Sequence, residues 1–334
     1  MPEWLYEDGI GESRAVLVED GRIAEVLIDW PDSPWRVGTV SDGRLSELQR
    51  DRGRAIVTLA DGSPAILSPL PQQPLSLGRA CRVEVMREPL PEGRRRKWPK
   101  VRLVDSDTPP AAAPSLRERI AASGLAVTEI GMADPDRLEE LGWSELLQGA
   151  ADGEIDFPGG TLLLALTPAM TLIDVDGMLP PDELAIAGVR ASVRVIRQLG
   201  IGGAIGIDLP TLSGKADRVA AAELIDALLP KPFERTGVNG FGFVQIIRPR
   251  ARRSIPEMLA ADPDGAAARA LLRRAERTSG AGLLTLSCSP GIAACIEARP
   301  DWLEALARRT GRPVRLQADA GKPRWGGDAS SQYP

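Results

Sequence analysis

The sequence predicts an α+β protein: a small β-barrel, then a mixed α/β layer, then a small C-terminal α/β unit. Three observations carry this. Between Trp35 and Glu88, short apolar runs recur at close spacing with no helical period. From Phe157, apolar strands alternate with amphipathic helices. From Ala266 to Gln317, helices and strands alternate again. A chain of 334 residues is long enough for two or three packed units.

The elements follow in order. Residues 13–30 read as a hairpin, because Asp20-Gly21 is a two-residue turn signal between apolar runs. In the barrel segment, strands are expected at 36–40, 55–59, 63–67 and 80–86, with turns at Asp42-Gly43 and Asp61-Gly62. The length and strand spacing fit an OB-type barrel. Residues 89–114 are rich in Pro, Arg and Ala and read as a basic loop, a strand at 101–104 and a linker at 109–114. Ser115 with Glu118 makes a capping box for a short helix.

Pro158-Gly159-Gly160 is a turn ahead of strands at 162–166 and 170–175. A helix over 181–199 has Pro at its start and Gly200 just past its end. A strand at 204–208, a helix over 216–229 stopped by Pro230, and a strand at 241–247 complete the layer. The C-terminal unit carries helices at 266–277, 291–298 and 302–310 and strands at 283–286 and 314–317. The tail from Gly326 is expected to be disordered.

Composition narrows the chemistry. Apolar residues make up 43% and charged residues 26%, as in an ordinary globular chain. No apolar run approaches the roughly 18 residues of a membrane span. The start, Met1-Pro2-Glu3-Trp4, does not read as a secretory signal, so a cytoplasmic location is expected. Histidine is absent, which excludes Ser-His-Asp hydrolases, papain-like proteases and His-Glu-x-x-His metalloproteases. Cys81, Cys288 and Cys295 are too few for a disulfide framework, and the latter two read as small buried hydrophobes. The glycines from Gly200 to Gly206 precede a strand, the reverse of a dinucleotide fingerprint, and Ser213-Gly214-Lys215-Ala216 is not a P-loop.

Carboxylates are left to carry chemistry. Asp174 and Asp176 sit two apart at the end of an apolar strand, so both side chains share one face. Asp208 ends another apolar strand. Such acids suit a hard cation such as Mg²⁺, or serve simply as turn and cap residues; spacing leaves both open. The net charge is −5, but basic residues cluster at Arg94-Arg95-Arg96-Lys97 and at Arg248, Arg250, Arg252 and Arg253. The first run is either a solvated face or a phosphate-contacting patch; of the second, some residues are expected to contact RNA phosphates and others to pair with acids.

Three blocks of residues point to a family. The run Phe157-Pro158-Gly159-Gly160 through Ile173-Asp174-Val175-Asp176-Gly177 comes first. Arg197-Gln198-Leu199 with Gly202-Gly203-Ala204-Ile205-Gly206-Ile207-Asp208 comes second. Gly240-Phe241-Gly242-Phe243, Arg248-Pro249-Arg250 and Arg253-Ser254-Ile255 close the set. In order and spacing these resemble the ribonuclease E/G family. The resemblance implies a DNase I-like catalytic subdomain over 157–259, in which Asp174 and Asp208 hold Mg²⁺ with Asp176 assisting. It also implies an RNase H-like subdomain, with its hairpin in 1–34 and a reduced remainder in 91–156. An OB-type RNA-binding barrel at 35–90 is inserted there, and a small C-terminal domain occupies 264–325. The activity implied is cleavage of single-stranded RNA to a 5′-phosphate and a 3′-hydroxyl, with Arg94, Arg95, Arg96, Lys97, Arg248, Arg250 and Arg253 positioning the backbone.

The sequence also departs from that family. Asp176 replaces an asparagine and Thr211 an aspartate. Ala-Ala-Asp-Pro-Asp-Gly stands where a Cys-Pro-x-Cys zinc link is expected, and the interval before Phe157 is too short for a 5′-end sensor. No structural zinc, zinc-linked dimer or 5′-end sensing is therefore expected. The barrel has Trp35 but no Phe or Tyr for base stacking. The rival expectation is an RNA-binding protein that keeps the fold without efficient cleavage, or a structural partner in an RNA-processing assembly.

Overall fold

The computed structural model describes the whole chain except residues 32–33, 73–74, 93–94 and 333–334. It is an α+β structure with a closed barrel and several separate sheets. Two units emerge: one from Met1–Pro31, Ile120–Asp152 and Met258–Pro334, the other from Asp32–Arg119 and Gly153–Glu257.

The chain opens with strands β1 (Glu3–Gly9), β2 (Glu12–Glu19) and β3 (Arg22–Asp29). The β2–β3 hairpin turns at Asp20-Gly21 as expected, with both residues at positive φ. β1 pairs with β2 and had no sequence signal, because Trp4-Leu5-Tyr6-Glu7-Asp8 shows little alternation.

The barrel follows, from β4 (Val40–Gln49), β5 (Arg54–Leu59), β6 (Pro64–Leu67) and β7 (Ala80–Arg87). A two-stranded arm, β8 (Leu90–Glu92) with β9 (Arg95–Lys97), then leads to β10 (Lys100–Val104), which closes the barrel between β6 and β7. The barrel therefore extends past residue 90 to Val104. Its core takes alternate residues, among them Leu45, Val57, Leu67, Val83, Val85 and Val101. Each fully buried valine or leucine of this kind contributes about 1.5–3 kcal/mol.

Two barrel expectations need correction. Residues 36–39 are not a strand, since β4 begins only at Val40, and Asp42-Gly43 is not a turn: both residues lie inside β4. Glycine is needed at position 43 because a neighbouring strand approaches closely: a Cβ would stand 2.5 Å from Val57 Cγ1. Trp35 is buried in the barrel core, where its indole N–H donates to Asp61 Oδ2 at 2.9 Å. It is therefore unavailable for stacking on a base.

After the barrel come α1 (Leu116–Ala121), β11 (Ala126–Glu129), α2 (Arg137–Glu140) and α3 (Trp143–Asp152). The capping box forms: Ser115 N–H donates to Glu118 Oε2 at 2.7 Å and Glu118 N–H to Ser115 Oγ at 3.2 Å. β11 pairs in parallel with β1, giving the sheet order β11-β1-β2-β3.

The α/β layer comprises β12 (Glu154–Phe157), β13 (Gly160–Leu166), β14 (Thr171–Gly177), α4 (Pro181–Gln198), β15 (Gly203–Asp208), α5 (Lys215–Leu228), β16 (Glu234–Arg235) and β17 (Phe243–Arg248). The sheet order is β12-β13-β14-β15-β17-β16, with β14 and β15 parallel and the other pairs antiparallel. α4 packs on one face of this sheet: a Cβ on Gly188 would press on Val175.

The remaining elements are α6 (Ile255–Ala261), α7 (Pro263–Glu276), β18 (Leu283–Cys288), α8 (Pro290–Glu297), α9 (Pro300–Thr310), β19 (Val314–Ala318) and β20 (Asp328–Gln332). Far from being a disordered tail, β20 pairs antiparallel with β18 and makes it the central strand of three. The core here includes Leu271, Leu284, Ile292, Ile296 and Leu306, joined by Ile10 from the β1–β2 turn. Truncation after Gly327 removes the ladder on one side of β18. At about 1 kcal/mol net per hydrogen bond, a loss of roughly 2–4 kcal/mol is expected in urea unfolding. Wild-type stability in the truncated chain would contradict this pairing. No helix among the described residues is long and apolar enough to cross a membrane.

Candidate active site

The α/β sheet presents one face to α4 and leaves the other open. Period two decides which residue goes where. Ile173, Val175, Ile205, Ile207, Val244 and Ile246 are buried on the helix side. Asp174, Asp176, Asp208, Phe243, Gln245 and Ile247 alternate with them on the open face. Register aligns these residues into rows. One row reads Glu154, Leu163, Asp174, Asp208, Phe243 across five strands. The next reads Asp156, Thr161, Asp176.

Asp174 and Asp208 are direct register partners on parallel strands, so their backbones stand roughly 4.8 Å apart. Both are exposed. Asp208 is the last residue of β15, whereas Asp174 stands at the middle of β14. Like charges opposite one another cost a sheet stability, by about 0.2–1 kcal/mol. Placing two acids there opposes folding.

Asp176 does not join the pair. It lies one repeat further along β14, and its Oδ1 accepts from Gly177 N–H at 2.8 Å. Its row partner Thr161 donates its hydroxyl to Asp156 Oδ1 at 2.7 Å. Among the described residues, no group of three or more Asp, Glu, Cys or His is placed to hold a metal ion. The three-carboxylate set expected from sequence is thus corrected to a pair. That donor set still fits Mg²⁺, which takes one or two carboxylates and fills its remaining positions with water and substrate phosphate. Glu154 and Asp156, which sequence reading passed over because β12 was not recognised as a strand, add negative charge on the same face.

Phe243 borders the pair as the register partner of Asp208. A Cβ on Gly206 would meet the Phe243 ring at 2.6 Å and Met170 Sδ at 3.1 Å, so the ring lies across this glycine on the open face. Ahead of Phe243, the turn through Asn239, Gly240, Phe241 and Gly242 is tied back on itself. Asn239 Oδ1 accepts from Phe241 N–H at 2.9 Å and Phe243 N–H at 3.0 Å. Gly242 has φ +92°, and a Cβ there would lie 2.1 Å from the carbonyl of Leu209, the residue after Asp208. Gly242→Ala is therefore expected to cost more than about 1 kcal/mol in thermal unfolding and to reduce activity with it. An unchanged Tm would show that the turn yields without strain.

The basic residues fall into two groups. Arg248 Nη1 donates to the Ile201 carbonyl at 3.0 Å, and Arg250 pairs with Glu257. Ser254 N–H and Oγ also donate to Glu257, both at 2.9 Å, so this carboxylate ties Arg250 to the start of α6. Arg248 and Arg250 are thus both engaged within the fold. Lys97 and Arg253 are half-buried and already engage other groups. Arg94 lies outside the described residues; Arg95 and Arg96 lie on β9, and only their backbone is described. Next to them stands Trp98, 44% exposed, whose carbonyl accepts from Arg87. Sequence reading missed it, although an aromatic inside Arg-Arg-Arg-Lys-Trp-Pro-Lys is the interleaving expected of a nucleic-acid surface.

No family model matches the chain, and no curated protein is significantly similar to it. The chemistry available is that of an exposed carboxylate pair on a sheet, bordered by Phe243. Two such carboxylates repel a phosphodiester unless a cation intervenes.

Proposed function

We propose that this protein is a Mg²⁺-dependent endoribonuclease that cuts single-stranded RNA. The observation that carries the reading is the register that sets Asp174 beside Asp208 on exposed, adjoining parallel strands. The resemblance of the surrounding residues to the ribonuclease E/G family supplies the reaction. Asp174 and Asp208 would hold Mg²⁺, which when bound would supply charge neutralisation at the scissile phosphate and lower the pKa of water there. The chain's own residues do the rest. The buried residues beneath the pair hold the two backbone positions side by side on adjoining strands. Asp176, held by Gly177 N–H, adds negative charge and attracts cations to this edge. Arg95, Arg96 and Lys97 on β9, with Trp98, supply charge and an aromatic surface for the RNA backbone and bases. The products expected are a 5′-phosphate and a 3′-hydroxyl.

A second reading is an RNA-binding protein that does not cut. The internal engagement of Arg248 and Arg250 favours it, because it leaves fewer cations for the phosphates around the scissile bond. End-group analysis separates the two. Single-stranded RNA treated with the protein in Mg²⁺ should yield new 5′-phosphate ends that ligate without kinase treatment, and none in EDTA. RNA retained by the protein but recovered intact in Mg²⁺ would select the second reading.

A further inference from the structure

We infer that Phe241 is a stacking platform that seats one unpaired nucleobase of the RNA beside the Asp174–Asp208 pair. This rests on the ribonuclease reading and adds to it a positioning residue that nothing else assigns.

The ring is 82% exposed, so folding gains almost nothing from it where it stands. The backbone beneath it is nonetheless fixed. Besides the two bonds to Asn239 Oδ1, Asn239 N–H donates to the Phe243 carbonyl at 3.0 Å and Gly242 N–H to the Asn239 carbonyl at 3.2 Å. Leu209 N–H donates to the Gly242 carbonyl at 3.3 Å, which ties the turn to the residue following Asp208. Phe243, two residues on, is the register partner of Asp208 itself. A hydrogen-bonded turn thus carries an exposed aromatic residue two positions before the register partner of Asp208.

The surroundings select the occupant. A flat apolar face beside clustered carboxylates suits a nucleotide, whose base seeks stacking while its phosphate seeks the cation the carboxylates hold. Stacking on one ring is indifferent to base identity and demands an unpaired base. Phe241 therefore makes single-strandedness a requirement at the nucleotide it seats, without reading its sequence. An apolar segment from a second copy of the chain would meet the same carboxylates and have to desolvate them.

The test compares wild type with Phe241→Ala and Phe241→Trp. Kd for a fluorescein-labelled single-stranded RNA is read by anisotropy in Ca²⁺, and KM and kcat for its cleavage in Mg²⁺. Phe241→Ala should raise Kd and KM on the order of tenfold with kcat little changed, and Phe241→Trp should restore both. An abasic nucleotide beside the cut site should weaken the wild type by a similar factor and leave Phe241→Ala unaffected. Unchanged Kd and KM in Phe241→Ala, with cleavage intact, overturns the platform and leaves the ribonuclease reading standing. A wild-type dimer that Phe241→Ala dissociates without altering Kd assigns the ring to self-association and likewise overturns it. RNA binding without cleavage overturns the ribonuclease reading, and the Kd comparison then decides the platform by itself. A wild type that binds no RNA overturns both.

Discussion

Asp208→Asn is expected to lower the rate of RNA cleavage on the order of 10³-fold or more while leaving the folded protein at least as stable as wild type. The two halves of this expectation come from the same geometry. Amide for carboxylate removes an anionic oxygen that a hard cation requires, and the charge stabilisation that goes with the ion amounts to several kcal/mol, or about tenfold in rate for each 1.4 kcal/mol. It also removes one of two like charges standing opposite each other on β14 and β15, which relieves about 0.2–1 kcal/mol of repulsion. Asp174→Asn should behave alike, and the double variant should be no slower than either single one, because both changes empty one site. Single-turnover cleavage and thermal unfolding, measured on the same samples, check this. Full activity in either variant would remove that aspartate from the chemistry. A marked loss of stability would make it a structural residue.

Arg273→Ala is expected to destabilise the protein by about 3–5 kcal/mol without touching the carboxylate pair. Arg273 is 3% exposed. Its Nε donates to Glu7 Oε2 at 3.0 Å, and its two terminal nitrogens reach Asp136 and Glu139. Glu7 also meets Arg277 Nη2 at 2.6 Å and lies 3.1 Å from Arg14 Nε, the latter an ion pair without hydrogen-bond alignment. Burial alone would raise the Glu7 pKa, but the three guanidinium groups outweigh it and hold the carboxyl below its ordinary value. Stability from Glu7 is therefore complete above the unfolded carboxylate pKa and lost as the pH falls through the lower folded one. Glu276 runs the other way: burial raises its pKa more than its pair with Arg309, at 2.7 Å, lowers it. Its contribution is greatest below the unfolded pKa and declines as the pH rises through the folded value. Urea unfolding of wild type and Arg273→Ala across the acid range checks the network. A loss below 1 kcal/mol would show that water or neighbouring cations replace the guanidinium.

The parts of this protein that could be read from its sequence are those governed by local rules. The strand runs carrying Asp174 and Asp208, and the helix between Pro181 and Gln198, announced themselves by period and by flanking Pro and Gly. What sequence could not give was register. Period two put Asp174 and Asp176 on one face, but only the β14–β15 pairing sets Asp208 beside Asp174 and leaves Asp176 outside. Asp42-Gly43 looked like a turn and lies inside a long barrel strand, because the need for glycine came from Val57 on a neighbouring strand. β20 was invisible because Asp-Ala-Ser-Ser-Gln has no apolar pattern; its partner β18 makes it a strand. Arg248 and Arg250 read as a basic patch until Ile201 and Glu257 arrived from distant and neighbouring segments. Phe241 was legible only as part of a family block, since its exposure depends on how the turn before β17 folds.

The measurement that bears most directly on the central claim is the Mg²⁺ dependence of cleavage under single turnover, with wild type and the Asp174→Asn/Asp208→Asn double variant each in excess over a labelled single-stranded RNA. A wild-type rate that rises with Mg²⁺ and saturates, beside a double variant that binds the RNA yet stays at the uncatalysed rate, is the predicted result. Equal rates in the two proteins, at any Mg²⁺ concentration at which both bind RNA, would contradict it.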